Sequence, residues 1–215
     1  MPTDAPREAL EPKTPRQRPG RGALVAWIAL GVIALLFLTY LKWRPLPDGI
    51  SGVDHPVAGK RLVALAFEPL TGSGERVTQP DVQGRVTLIN IWGTWCPPCQ
   101  EEFPHLAAIY AKFKDRRDFQ YLSVSYGADP TLLDAQSLAQ LREATAEFLQ
   151  EQRADHPTYY DPEAQTLRGL LAVGFKGAFP TSLIIDRRGS IHAVWEGFSR
   201  PSMAEIEQVL RELLK

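Results

Sequence analysis

Seven residues, Val86-Thr87-Leu88-Ile89-Asn90-Ile91-Trp92, form a near-continuous apolar run, and Trp95-Cys96-Pro97-Pro98-Cys99 follows almost at once. A strand of this kind is buried on both faces, so it belongs inside a sheet with helices on each side. The two prolines suit the first turn of a helix, where missing N–H groups cost little. Phe103, Leu106, Ala107, Tyr110 and Phe113 then recur at helical spacing, and Phe119–Ser125 returns to strand character. The segment therefore reads as a β-α-β unit with a parallel crossover.

The remaining pattern extends that unit. Leu62–Phe67 and Glu75–Thr78, separated by Pro69-Leu70-Thr71-Gly72-Ser73-Gly74, read as a hairpin preceding it. Leu138, Leu141, Phe148 and Leu149 stripe a helix, Thr158–Tyr160 is a short strand and Ala164–Leu171 a short helix. Thr181–Ile185, the turn Asp186-Arg187-Arg188-Gly189 and Ile191–Trp195 form an antiparallel hairpin, and Met203, Ile206, Leu210 and Leu213 mark a closing amphipathic helix. This order predicts an α/β fold with a mixed central sheet sandwiched between helices.

The chain has two cysteines, three positions apart, which cannot staple distant segments. Their placement is chemically loaded, because a helix N-terminus carries partial positive charge that stabilises a thiolate. Cys96 is the candidate nucleophile. The prolines stiffen the turn and keep the two sulfurs within reach. With Phe103 at 0° and about 100° per residue, Cys99 lies near −40° on the apolar stripe and is shielded, as a resolving cysteine must be. Glu102 lies near −100°, at the edge of the buried face, while Glu101 lies near 160° and faces solvent, again at about 100° per residue. Only Glu102 is placed to trade protons with the resolving thiol; complementing the helix dipole is the other reading of both glutamates. A zinc site wants four ligands and no second cysteine pair exists, so no metal site is assigned. Two-coordinate Cu(I), with His105, His156 or His192 helping, stays open as an alternative. Ile89 and Gly93 stand seven and three residues before Cys96, where a peroxidatic Pro-x-x-x-Thr-x-x-Cys motif needs Pro and Thr.

Ala23–Leu41 is a run of nineteen residues without a formal charge, about 28 Å of helix at ~1.5 Å per residue, close to the hydrocarbon thickness of a bilayer. Lys13, Arg16, Arg18 and Arg21 precede it, and Lys42 and Arg44 follow, so the positive-inside rule favours a cytoplasmic N-terminus. No small-x-small cleavage site follows the run, which favours an uncleaved anchor over a signal peptide. Residues 1–44 hold 7 Lys/Arg against 3 Asp/Glu, net +4, and 45–215 hold 17 against 22, net −5. No basic face remains for nucleic acid. The expected organisation is a disordered cytoplasmic tail at 1–22, a single transmembrane anchor at 23–41, a Pro/Gly linker at 42–58 and one extracytoplasmic (periplasmic) globular domain at 59–215.

The text Gly84–Cys99, then Glu102-Phe103-Pro104, and later Phe179-Pro180-Thr181 leading into Leu183–Gly189, resembles the TlpA/ResA-like branch of the thioredoxin superfamily, membrane-anchored thiol-disulfide oxidoreductases. The resemblance implies a thioredoxin-like fold with an N-terminal β-hairpin extension, covering 59–215. It implies that Cys96 attacks, that Cys99 resolves and that Glu102 is the buried active-site glutamate. Asn90 stands six residues before Cys96, where general thioredoxins place a buried aspartate, which leaves proton handling to Glu102. Pro180 matches the family's cis-proline, whose preceding Phe179 would show its backbone to an incoming peptide. Trp95 and Pro97 join Phe179 and Pro180 as implied substrate-binding residues. Gly127–Ala154 is long for the family's usual insertion.

The implied activity is reduction of a partner protein's disulfide through the Cys96–Cys99 dithiol, with no cofactor beyond that pair. The implied clients are apocytochromes c or the copper-site cysteines of a respiratory oxidase, and the implied electron donor is a thiol-transferring membrane protein. A disulfide-forming oxidant on the same fold and a non-enzymatic Cu(I) carrier are the alternatives.

Overall fold

The computed structural model describes residues 27, 30–35, 52–62, 65–72, 74–130 and 134–215. The chain divides into two units, Met1–Pro47 and Asp48–Lys215. In the first, Trp27 and residues 30–35 are helical, and Trp27, Leu30, Ile33 and Leu35 are exposed. The rest of the expected anchor, the tail at 1–22 and residues 42–51 of the expected linker lie outside the described residues. Among the described residues no helix is long and apolar enough to cross a membrane.

In the second unit, strands β1 (Ala66–Thr71), β2 (Val77–Thr78), β3 (Val86–Trp92), β4 (Phe119–Ser125), β5 (Thr158–Tyr160), β6 (Thr181–Ile185) and β7 (Ile191–Glu196) form one mixed sheet in the order β2-β1-β5-β4-β3-β6-β7. β3 runs parallel to β4, and β4 to β5, while β6, β7, β1 and β2 join antiparallel. Four helices accompany them: α1 (Pro97–Phe113), α2 (Ala135–Gln152), α3 (Gln165–Ala172) and α4 (Arg200–Leu213).

β3 is buried at every position, because its alternate side chains feed two cores. Ile89 and Ile91 pack with Leu122, Val124 and Leu183 under Leu167 and Leu170 of α3. Val86 and Leu88 pack with Ile184 and Trp195 under Leu106 and Ile109 of α1 and Ile206 and Leu210 of α4. At the carboxyl end of β3, on the α1 face, Trp92 meets Phe103, Cys96, Cys99 and the α2 residues Phe148 and Leu149.

Besides shifts of one or two residues at Val77, Gln165, Ala172 and Glu196, two boundaries differ from the sequence reading. The first hairpin strand is Ala66–Thr71, so Pro69 lies within the strand, not in the turn. Its first residues pair with β2 and its later ones with β5, and the register shifts between Pro69 and Thr71, a bulge of the kind that accommodates a proline. The expected linker at 42–58 also stops short of residue 58. Residues 52–58 fold onto the domain: Gly52 bridges Val194, His55 and Val57 are buried, and Val57 joins the core. The reason is apolar burial by Val57 together with backbone bonds from Gly52 N to Val194 O and Gly59 N to Ile191 O.

Candidate active site

β3 ends at Trp92, and the chain turns through Gly93 and Thr94 before α1 begins at Pro97. Gly93 is required here by a close approach. A Cβ on it would sit 2.4 Å from the Trp95 indole nitrogen and 2.8 Å from the Tyr126 carbonyl oxygen. With that space free, Trp95 Nε1 donates to Tyr126 O at 2.9 Å.

Cys96 is the N-cap of α1, with Pro97 and Pro98 in the first turn. Cys99 N and Gln100 N both donate to Cys96 O, and Gln100 Nε2 straps the turn through Thr94 O at 2.6 Å. Cys96 and Cys99 are joined as a disulfide with Cα atoms 5.3 Å apart. Both are buried, so position rather than exposure distinguishes them: Cys96 caps the helix and Cys99 lies within the apolar face. Pro104 stands within α1 without breaking it. Its missing N–H leaves the Gln100 carbonyl without a ladder partner, and both residues are on the exposed side.

Glu102 is 1% exposed, while Glu101 faces solvent as its wheel position requires. Asn90 Nδ2 donates to Glu102 Oε2 at 2.8 Å, and Ser182 Oγ donates to Oε1 at 3.3 Å. Burial pushes the Glu102 carboxyl up to about 7, against the opposing pull of those two hydrogen bonds. Asn90 and Ser182 belong to a polar row across the sheet. Thr158, Ser123, Asn90 and Ser182 are register partners on successive strands β5, β4, β3 and β6, and all four are buried. Trp92 Nε1 donates to Ser123 Oγ at 2.8 Å, tying the aromatic cluster to the same row.

The Phe179–Pro180 peptide is cis and leads into β6. Phe179 packs on Trp95, with ring centroids 5.3 Å apart, and edge-on against Tyr126 at 5.7 Å. Trp95 is 44% exposed. Trp95, Pro97, Phe179 and Pro180 thus lie at the end of the sheet that carries the cysteines.

Two residues of this constellation were not anticipated. Tyr126 OH donates to Asp161 Oδ2 at 2.7 Å, and the same buried carboxylate accepts from Thr166 N and Leu167 N in the first turn of α3. Tyr126 follows β4 directly and its run of buried neighbours was the available signal; Asp161 offered none, since an Asp-Pro pair reads as a turn. The histidines named beside Cu(I) are scattered: His105 stacks on Phe198, and His156 lies among Phe103, Tyr110 and Tyr121, its pKa lowered to about 4 by burial. Among the described residues no group of three or more His, Cys, Asp or Glu side chains is arranged to hold a metal.

A βαβ unit with a cysteine pair at the strand-to-helix turn and a cis-proline opening the neighbouring strand defines a thioredoxin-like protein. The chain belongs to the AhpC/TSA family, whose model matches residues 61–194. Within it the chain is a TlpA/ResA-like member of the thioredoxin superfamily. It is 29% identical over 118 residues to the thiol-disulfide oxidoreductase ResA of Bacillus thuringiensis (strain Al Hakam), covering 55% of this chain and 58% of that one. The alignment thus spans less than two thirds of that relative's length. With ResA of Halalkalibacterium halodurans it is 26% identical over 181 residues, 83% of this chain and 90% of the relative. A crystal structure assigned as thiol:disulfide interchange protein DsbE from Chlorobium tepidum superposes with a TM-score of 0.57 at 26% identity, covering 74% of this chain and 98% of that one.

Proposed function

We propose that the chain is a thiol-disulfide oxidoreductase that reduces disulfides of partner proteins. The observation that carries the reading is a cysteine pair at the start of α1, Cys96 as its N-cap and Cys99 in its first turn, with a buried carboxyl poised near neutral pH one turn beyond Cys99. The Cys96 thiolate attacks one sulfur of the client disulfide, that S–S bond breaks, and a mixed disulfide forms. Cys99 then loses its proton to Glu102 and attacks Cys96 Sγ. The client leaves as a dithiol with two electrons gained, and the Cys96–Cys99 disulfide remains. A carboxyl titrating near 7 accepts a thiol proton at physiological pH far better than one at an ordinary value. Trp95, Pro97, Phe179 and Pro180 form the surface against which the client strand lies.

The reading includes the setting. The uncharged run 23–41 anchors the chain with its N-terminus in the cytoplasm and the domain on the far side, and a membrane thiol carrier returns the electrons. Apocytochromes c and copper-site proteins are the proposed clients. Relatives that carry the name ResA support the chemistry; the apolar run and its flanking charges support the topology.

Trapping in cells tests this. Cys99→Ser should accumulate mixed disulfides with c-type apocytochromes or copper-site proteins, and Cys96→Ser should accumulate none. Trapping by Cys96→Ser in place of Cys99→Ser would reverse the order of attack, and trapping by neither would end the reductase reading.

A further inference from the structure

We propose that the pole of the domain opposite the cysteines is a surface for anionic phospholipid headgroups. The inference rests on the anchored setting proposed above, not on the exchange chemistry, and adds an orientation for the exchange site. At this pole β3 and β4 begin, β6 ends and β7 starts, so the connections 59–61, 79–85, 114–118 and 186–190 lie together. They are tied to one another: Gly84 N donates to Arg187 O, Arg61 bridges Ser190, and Arg187 pairs with Asp118 at 2.8 Å.

Charge separates this pole from the rest of the domain. The four connections hold 8 Lys/Arg against 4 Asp/Glu, net +4, and the other positions of 45–215 hold 9 against 18, net −9. Two of the four acids are spent locally. Asp118 lies between Arg116 and Arg187, and the buried Asp186 accepts from Arg188 Nε and from the Arg188 and Ser190 backbone N–H groups. Arg61, Arg85, Arg116, Arg117, Arg187 and Arg188 are all exposed, and Arg61 and Arg117 form no ion pair among the described residues.

Two observations favour a bilayer over a soluble acidic partner. Gly52 follows Leu41, the last residue of the uncharged run, by eleven positions, a path of at most about 40 Å, and the chain from Gly52 to Arg61 then runs along β7 to the pole. The basic surface is thus kept close to lipid. Val53, 47% exposed, stands in a depression of about 530 Å³ lined also by Arg61, Arg188 and His192, an apolar foot among cations that suits the headgroup boundary. Each Lys or Arg brought to an anionic bilayer strengthens the contact about fivefold, within a Debye length of about 8 Å. β3, seven residues long, holds the cysteine end about 20 Å further out, at ~3.3 Å per residue, where soluble clients reach it.

The test places the full-length chain in nanodiscs of phosphatidylcholine, with or without phosphatidylglycerol, and reads the broadening of its amide NMR signals by a nitroxide carried on the headgroups. In the anionic discs the amides of Arg61, Arg117 and Gly189 should broaden and those of Thr94 and Trp95 should not. In uncharged discs, or in anionic discs at high salt, the pole should be released. Arg61→Gln and Arg117→Gln should each lower the ratio of contacting to free domain about fivefold, with the amide positions of β3 unchanged. No broadening at the pole, equal broadening in both lipids, or broadening strongest at Thr94 and Trp95 overturns the surface. Pole amides that shift with a soluble polyglutamate peptide and ignore the lipid assign the patch to an acidic protein and overturn it equally. A chain that stays out of both discs overturns the anchored setting, and the same amides, read with phosphatidylglycerol vesicles added to that soluble chain, still decide the surface.

Discussion

Asn90 and Glu102 meet across the junction of sheet and helix: the amide Nδ2 on β3 lies 2.8 Å from the carboxylate Oε2 on α1. An amide donor holds the carboxyl in place without adding charge, so burial dominates its titration. Glu102→Gln keeps both hydrogen-bond partners and removes the proton acceptor. We expect resolution of a preformed mixed disulfide by Cys99 to slow on the order of a hundredfold, and the pH dependence near 7 to disappear. Stopped-flow measurement of client release across pH 5–9 checks both, and an unchanged profile would remove Glu102 from the proton path.

Stability carries the same signature with a definite sign. The folded Glu102 keeps its proton up to about 7, whereas an unfolded glutamate releases it near its ordinary value of 4.5. Between those values the native state binds more protons, so this contribution falls as pH rises through the window and is level above it. Glu102→Gln should therefore raise stability at pH 8 by on the order of 2 kcal/mol and leave it nearly unchanged at pH 4, read from urea midpoints.

His156 works in the opposite direction. Burial lowers its pKa to about 4 from 6.5, so the unfolded chain binds the extra proton between those values and stability falls as the solution is acidified through them. His156→Phe should flatten the loss between pH 6.5 and 4 by on the order of 2 kcal/mol. Equal acid sensitivity in both proteins would mean that folding does not lower the imidazole's pKa.

Gly93→Ala places a methyl group 2.8 Å from a backbone carbonyl that cannot move easily and 2.4 Å from an indole that can. The indole should swing out and lose its bond to Tyr126 O, at a cost of about 1–3 kcal/mol. A red-shifted tryptophan emission together with a lowered midpoint is the expected outcome.

Tyr126→Phe removes one of three donors to the Asp161 carboxylate and leaves the two backbone N–H groups. The expected loss is about 1–2 kcal/mol. Exchange with a small disulfide such as oxidised glutathione should be unaffected, because no sulfur contacts the hydroxyl; a loss of that rate would give Tyr126 a more direct part.

The strands β3 and β4 and the helix between them were legible because their periodicity is strong and their ends are marked by prolines and polar turns. The wheel angle of Glu102 foretold its inward side, since α1 is regular through that turn. The hairpin strand moved because Pro69 reads as a turn residue, and only the pairing with β5 shows it inside a bulged strand. The polar row Thr158, Ser123, Asn90 and Ser182 could not be read in advance: its members are scattered over four strands, and register alone brings them level. The link from Tyr126 to Asp161 spans 35 residues and has no local pattern at all.

The segment 52–61, which first appeared as a tether, also closes an open flank of the sheet. Gly52 exchanges backbone bonds with Val194 on β7, Gly59 N donates to Ile191 O, Ile191 N donates to Lys60 O, and Arg61 bridges Ser190 just before that strand. The opposite border, β2, is two residues long and runs straight into a 3-10 turn at Gln79–Val82. Among the described residues neither β2 nor β7 offers a long stretch of free backbone for a foreign strand to zip onto, which is how sheet proteins avoid sticking to one another. With both borders occupied, the exposed Trp95 and the cis Phe179–Pro180 turn at the cysteine end stand clear of the sheet's paired edges.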